Sequence, residues 1–181
     1  MGFRRFDQEG AIQHVMIRSN NGELLFGDNR DHYDFLEILR RTRTRFPFGL
    51  FAFCLMDTHI HLLTQTGSIK MGQFMQFLLS QYANRFNKKY ERKGHLFHRP
   101  YKTILCETEM YLYTLVTYIH LNPVKAGLAK HPKDYLWSSY HCYSQNPTAT
   151  HMPNMVDTHF ILQSISPDET VARRTLLAYG E

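Results

Sequence analysis

Two histidines two positions apart are the first residues of this chain whose spacing could do chemistry. His59 and His61 lie in an apolar run, residues 59–65, that is typical of a buried β-strand. Because strand side chains alternate between the two faces of a sheet, both imidazoles point to one face and Ile60 points to the other. Two imidazole nitrogens on one face can bind the same metal ion. Such a pair alone more often consists of ordinary surface or core histidines, so other residues must show whether this pair is a metal site.

A tyrosine and an asparagine share one surface of a later predicted helix. Tyr118 and Asn122 are four residues apart, which places a phenol and an amide oxygen one helical turn apart. His120 lies roughly 200° around the same helix from Tyr118, so it is the poorer candidate for a shared site. A tyrosine in this position is usually half-buried with a satisfied hydroxyl. The residues by themselves therefore leave a structural role for Tyr118 open.

Seven predicted elements must position these residues. Their order along the chain is strand (11–18), helix (31–45), strand (49–56), strand (59–65), helix (71–89), strand (101–105) and a helix that starts after Thr108. We expect the last helix to end near Asn122, because Pro123 follows. The strands are short and hairpin-linked, which argues against a parallel doubly wound sheet. The order favours a ferredoxin-like α+β fold, an antiparallel sheet with helices packed on one face.

The length of 181 residues suits one domain and a tail. A linker-like stretch rich in Ser, Gln, Asn, Pro and Thr begins at Ser144, so we expect the catalytic domain in residues 1–143. Residues 144–181 would form a linker and tail with room for one helix. No apolar window reaches about 18 residues and the first ten residues are polar, so we expect a cytoplasmic protein without a membrane span.

A basic stretch with interleaved aromatic rings runs from Gln81 to Leu105. The net charge of the chain is +5, and this stretch holds seven cations against one acid, Glu91. The cations are Arg85, Lys88, Lys89, Arg92, Lys93, Arg99 and Lys102. Cations and flat rings together suit a single nucleic-acid strand, whose phosphates and unstacked bases both need partners. A solvated basic helix face explains the charge equally well.

Five segments of the chain resemble the REP-associated tyrosine transposases, in order and in spacing. These proteins are chromosomal relatives of the single-tyrosine HUH (IS200-like) transposases, and the resemblance extends from about Gly10 to Tyr143. The matching segments are HVMIRSN (14–20), FCLMDTHIHLL (53–63), GHLFHRPYKTIL (94–105), YIHLNPVKAGL (118–128) and DYLWSSY (134–140). Asp57-Thr58, Thr117 and His98-Arg99-Pro100 depart from the usual family residues, and none of these departures removes a catalytic group.

The resemblance implies a metal site and a nucleophile. It assigns His59, His61 and Asn122 to a Mg²⁺ or Mn²⁺ ion and makes Tyr118 the nucleophile. The implied reaction is a transesterification in which the Tyr118 oxygen attacks a phosphorus of single-stranded DNA. It leaves a 5′-phosphotyrosine and a free 3′-hydroxyl, so the strand can be rejoined. The residue that accepts the phenol proton is not assigned.

The resemblance also implies a partner, single-stranded DNA folded into hairpins of REP-like palindromic repeats. A protein that acts on such DNA is expected at the nucleoid, as a monomer or a homodimer. Our candidates for contacting the DNA are polar and basic residues near the expected site and in the basic stretch: Arg18, Asn20, Arg85, Lys88, Lys89, Arg99, Lys102 and Lys125.

Two other functions remain open at this point. The chain could be a domesticated protein that binds DNA hairpins without productive cleavage. It could also be a metal-dependent phosphodiesterase in which metal-bound water attacks and Tyr118 is structural. A covalent protein–DNA adduct separates these readings, because only the tyrosine mechanism forms one.

Overall fold

The computed structural model describes residues 8–98, 100–144 and 155–178. Four strands and six α-helices follow one another in this part of the chain: β1 (Ile12–Arg18), α1 (Asn29–Arg45), β2 (Gly49–Leu55), β3 (His59–Gln65), α2 (Met71–Lys89), β4 (Lys102–Leu105), α3 (Glu109–Lys125), α4 (Tyr140–Tyr143), α5 (Thr158–Ile165) and α6 (Glu169–Ala178). Short 3-10 turns occupy Asn20–Gly22 and Pro132–Asp134. The seven elements predicted before residue 126 are all present.

The strands form one antiparallel sheet in the order β2-β3-β1-β4. β1 lies between β3 and β4, and its register with β3 pairs Met16 with His61 and His14 with Leu63. A bulge interrupts the pairing of β2 with β3 between Leu50 and Ala52. The predicted fold class, α+β with an antiparallel sheet and packed helices, is confirmed.

Both faces of the sheet are covered by the rest of the chain. In β3, Ile60 and Leu62 point to one face and His61 and Leu63 to the other, and all four are at most 1% exposed. Helix α3 contacts β2 and β3. Its Tyr118 meets the ring of His61, so α3 covers the face that carries the two histidines of the motif. The prediction had helices on one face of the sheet only. The structure shows that α3 covers the other face as well.

Helix α3 continues past the proline that was expected to end it. Pro123 lies inside the helix, which ends at Lys125. A proline removes the one backbone bond that its missing N–H would donate, and near the end of a helix this loss is small. The backbone N–H of Ala126 still bonds the carbonyl of Asn122 at 2.9 Å. The predicted end was wrong, and the extra turn brings Lys125 two turns beyond Tyr118 on the same side of the helix.

Two helices, rather than the one expected, follow residue 154. This segment is tied to the sheet by Asp157, whose carboxylate accepts hydrogen bonds from Leu50 N at 2.8 Å and from Arg43 at 2.7 Å. It is tied to α3 by the hydroxyl of Tyr113, which donates to the carbonyl of Ser164 at 3.0 Å. Most of the expected linker, residues 145–154, lies outside the described residues, and the domain boundary stays a prediction. None of the described helices is long and apolar enough to cross a membrane.

Candidate metal and nucleophile site

The two histidines of the motif lie side by side on β3. Their ring centroids are 4.9 Å apart and the ring planes are nearly perpendicular, at 83°. His61 is buried at 1% exposure, whereas His59, the first residue of the strand, is half-buried. The structure therefore brings the two imidazoles together as their spacing predicted.

Tyr118 reaches this pair from helix α3. Its ring is half-buried, and its centroid lies 5.9 Å from that of His61 in an edge-on arrangement at 89°. Leu115, Val116 and Ile119 are buried on the same helix and anchor it against the core. A phenol and two imidazoles that are far apart in the sequence thus share one place in the fold.

Asn122 is held by its own helix. Its amide nitrogen donates to the backbone carbonyl of Tyr118 at 2.7 Å. A carbonyl can only accept, so the nitrogen must be the atom engaged in this bond, and Oδ1 is left for another partner. The amide oxygen is the atom that a metal ion would need.

Both histidines of the motif are neutral near pH 7. Burial lowers the pKa of His61 to about 3, and the neighbouring charges of His14, His59 and Arg18 add to the effect. Burial also lowers the pKa of His59, with a smaller contribution from Arg18. A neutral imidazole keeps a lone pair, which is the form that binds metal ions.

The side chains present fit a divalent metal ion. The Nε2 atom of His61 is buried and has no hydrogen-bond partner. The Nδ1 atom of His59 lies 3.3 Å from the hydroxyl of Thr58, so its Nε2 is the nitrogen left over. Among the described residues no three His, Cys, Asp or Glu side chains cluster around one point, so Asn122 and water would have to complete the coordination. Two nitrogens and an amide oxygen suit Mn²⁺ better than Mg²⁺, which prefers oxygen ligands only.

A third histidine, His14 on β1, belongs to this cluster and was missed by sequence reasoning. Its Nε2 lies 2.8 Å from Nδ1 of His61, and the two rings stack with centroids 5.1 Å apart. Its ring also meets the edge of Tyr118 at 5.9 Å. Burial lowers its pKa to about 4. His14 stands in the first segment of the family resemblance, but only the pairing of β1 with β3 reveals its contact.

Lys125 caps the other side of Tyr118. Its ammonium nitrogen lies 4.9 Å from the centre of the tyrosine ring, within cation–π distance. The side chain is exposed, so it can also meet a ligand that approaches the ring. The structure places this predicted DNA contact directly on the predicted nucleophile.

A cavity of about 500 Å³ opens beside His59. Arg18, His98 and Lys102 line it together with the turn that follows β1. Ser19 lines it too, and its buried hydroxyl has no hydrogen-bond partner. Two cations and an unpaired hydroxyl form a place where an anionic group would be favoured.

Comparison with known proteins decides the family. The family model described as "Transposase IS200 like" matches residues 8–122, which include His59, His61, Tyr118 and Asn122. The chain belongs to the IS200-like transposase family. A protein of Haemophilus influenzae that is named as a REP-associated tyrosine transposase is 31% identical, over 60% of this chain and 68% of that protein.

A solved structure supports the fold of this transposase-family chain. It is the structure of a REP-associated tyrosine transposase bound to a REP hairpin, and it matches with a TM-score of 0.66 at 19% identity. The match covers 78% of this chain and 83% of that chain. At this identity the likeness shows that the two chains share the architecture described above.

Several cations of the basic stretch have acidic partners within the transposase. Arg85 pairs with Asp34 at 2.5 Å, and Lys89 pairs with Asp28 and Asp31 at 2.8 Å each. These contacts join α2 to α1, which gives Arg85 and Lys89 a structural role.

The other predicted DNA contacts lie in different parts of the fold. The backbone N–H of Asn20 donates to the carbonyl of Leu96, next to the cavity, and Lys88 is exposed at the end of α2. Arg99 lies outside the described residues. Arg18 and Lys102 in the cavity and Lys125 on Tyr118 are therefore the basic candidates that the structure places at the site.

Proposed function

We propose that this chain cleaves and rejoins hairpin-bearing single-stranded DNA through a covalent bond to Tyr118. One observation carries the proposal: the ring of Tyr118 packs edge-on against His61, which adjoins His59, within a single chain. Membership of the IS200-like transposase family supports the same reaction class. Because these groups come from one chain, a monomer would contain a complete site.

In the proposed step the phenol oxygen of Tyr118 attacks a backbone phosphorus. The new bond joins that oxygen to phosphorus, the bond from phosphorus to the 3′ oxygen breaks, and the 3′ oxygen takes up a proton as a hydroxyl. The phosphotyrosine ester keeps the bond energy, so a 3′-hydroxyl can later attack it and restore the strand. The ammonium of Lys125 beside the ring favours the negative charge that develops on the phenol as its proton leaves.

His59 and His61, through their Nε2 atoms, and Asn122, through Oδ1, would hold the Mn²⁺ or Mg²⁺ ion. When bound, the ion supplies Lewis acidity and a fixed position for the scissile phosphate. Burial lowers the pKa of both imidazoles, which favours the neutral form that can bind a metal ion.

The proposed partner is a DNA hairpin of REP-like sequence with a single-stranded flank. The solved relative of similar fold is bound to a REP hairpin, which supports this choice. The cavity with Arg18 and Lys102 would accept phosphates of the flank next to His59. A protein with this partner would act at the nucleoid, in the cytoplasm.

The test is a search for a covalent adduct. The purified protein is incubated with Mn²⁺ and a labelled oligonucleotide that carries a REP hairpin and its flanks, and the products are separated on a denaturing gel. Tyr118→Phe removes only the phenol oxygen and should abolish the adduct. Tyr111→Phe, the same change two turns earlier on α3, is the matched control and should retain it. Chelation of the metal with EDTA should also abolish adduct formation.

Each alternative has its own signature in this experiment. Hairpin binding without any adduct in the wild type would refute cleavage and favour a domesticated hairpin binder. Cleavage that survives Tyr118→Phe would refute the tyrosine nucleophile and favour attack by metal-bound water.

A further inference from the structure

His14 is a buried histidine that the proposed reaction does not use. It is 3% exposed and lies on β1, next to the strand that carries His61. Its Nε2 lies 2.8 Å from Nδ1 of His61, within hydrogen-bond distance. Burial and a short distance together make this one of the tightest contacts of the site.

The contact requires one ring to donate and the other to accept. A neutral imidazole carries one N–H and one lone pair, so the bond has two arrangements. If His14 donates, the proton of His61 must sit on Nε2. If His61 donates from Nδ1, its Nε2 carries the lone pair, which is the state that a metal ligand needs.

The surroundings of His61 favour the second arrangement. Its Nε2 is buried and has no hydrogen-bond partner. A proton placed there would be a buried donor without an acceptor, and no hydrogen bond would offset the free-energy cost of its desolvation. A lone pair at the same atom needs no acceptor and is the form that could bind a metal ion.

His59 shows the same pattern through a different neighbour. Its Nδ1 faces the hydroxyl of Thr58 at 3.3 Å, and a hydroxyl can accept from an N–H. In both rings of the motif the Nδ1 atom is thus engaged by a nearby side chain, and Nε2 is the nitrogen that remains. Partners behind metal-binding histidines commonly set the ring orientation and tautomer in this way.

His14 does not join the metal ligands itself. Its Nε2 is taken by His61, and within the described ranges no group of three His, Cys, Asp or Glu side chains could hold an ion. Any effect of His14 on the metal ion therefore acts through His61, while its ring also packs edge-on against Tyr118.

We propose that His14 is a positioning residue that accepts the Nδ1 proton of His61 and so presents the Nε2 lone pair to a divalent metal ion. The inference rests on the metal site of the proposed function. Loss of the acceptor would let His61 adopt the other tautomer, and the affinity for Mn²⁺ would fall by about 10- to 100-fold.

Three variants test the inference. His14→Leu removes the acceptor and fills the space in the core with an apolar side chain of similar size. His14→Gln restores an acceptor, because its amide oxygen reaches about as far as Nε2 of histidine. His32→Leu is the matched control, since it removes a buried imidazole that stacks between Phe26 and Trp137, outside the site.

Two measurements read the role of His14 without relying on turnover. Long-range ¹H–¹⁵N NMR spectra of the metal-free protein report which nitrogen of His61 carries the proton. Titration with Mn²⁺, followed by the EPR signal of the free ion, gives the dissociation constant. Thermal unfolding of every variant checks that it is folded.

We expect the proton of His61 on Nδ1 in the wild type and in His14→Gln, and on Nε2 to a large extent in His14→Leu. Only His14→Leu should lose Mn²⁺ affinity, whereas His14→Gln and His32→Leu should stay close to the wild type.

A proton on Nε2 in the wild type would overturn the inference, as would unchanged Mn²⁺ affinity in a folded His14→Leu protein. If His14→Leu does not fold, two results still test the inference. It requires the proton of His61 on Nδ1 in the wild type, and a Mn²⁺ affinity of His14→Gln close to that of the wild type. A wild type that binds no Mn²⁺ would refute the proposed metal site itself, while the tautomer would still test the hydrogen bond.

Discussion

Mild acid should destabilise the metal-free protein at pH values well above those at which carboxylates titrate. The cause is a set of buried histidines that are neutral in the folded chain. Burial lowers the pKa of His61 and of His120 to about 3 and that of His14 to about 4. His120 packs against the rings of Tyr140 and Tyr143, and its Nε2 lies 2.9 Å from the hydroxyl of Ser139.

The sign follows from comparing the folded and unfolded pKa values. Above the unfolded pKa of 6.5 these side chains are neutral in both states, so protonation does not affect the free energy of unfolding. Below it the unfolded chain takes up protons that the folded chain refuses, so stability falls as the pH falls. The loss stops growing only below the folded pKa values of about 3 to 4.

The magnitude is large compared with the stability of an ordinary domain. For one histidine with a folded pKa near 3, the cost on going from pH 7.5 to pH 5.0 is about 2 kcal/mol. His14 and His61 touch each other and do not add fully, so the three histidines together cost about 4 to 6 kcal/mol. A typical domain has about 5 to 15 kcal/mol in total.

The assay is urea denaturation followed by circular dichroism at pH 7.5 and pH 5.0, in EDTA. His120→Gln removes the one histidine of the three that is not part of the His14–His61 pair. The variant should lose about 2 kcal/mol less stability than the wild type between the two pH values. A wild type that loses less than about 1 kcal/mol would refute the reasoning. So would equal losses in the wild type and in His120→Gln.

Two further predictions concern DNA binding by a surface lysine and the attachment of the C-terminal segment to the sheet. Lys102→Ala should weaken binding of a hairpin oligonucleotide with a single-stranded flank and reduce the slope of log K against log salt by about 0.7, since it lines the cavity. Lys89→Ala should leave that slope unchanged, because its ammonium is paired with α1; equal slopes for the two variants would contradict the assignment. Asp157→Ala should cost about 2 kcal/mol in urea denaturation, because the buried N–H of Leu50 loses its acceptor, whereas Asp157→Asn should cost less. Similar stabilities of the two Asp157 variants would count against that hydrogen bond.

The elements of the fold were predictable because local patterns determine them. β3 and α2 have the predicted bounds, and α1 begins two residues before its predicted start, at an Asp28 cap that the periodicity did not reveal. The end of α3 was wrong because a proline near the end of a helix removes a single bond, which the buried packing of Pro123 outweighs. Helix α5 was missed because its eight residues follow a polar stretch and gain their stability from packing on β2.

Local spacing by itself determined which pairs of site residues lie together. A period of two places His59 and His61 on one face of any strand, and a period of 3.6 places Asn122 one turn from Tyr118 on any helix. Those relations hold whatever the rest of the chain does.

Only the tertiary structure decided what those pairs meet. The register of β1 against β3 brings His14 to His61, and the packing of α3 on the sheet brings Tyr118 to both. Acidic partners on α1 engage Lys89, although its charge in the sequence resembles that of Lys102 in the cavity. Such contacts join residues that are distant along the chain, and no local periodicity encodes a distance between segments that only the packed core brings together.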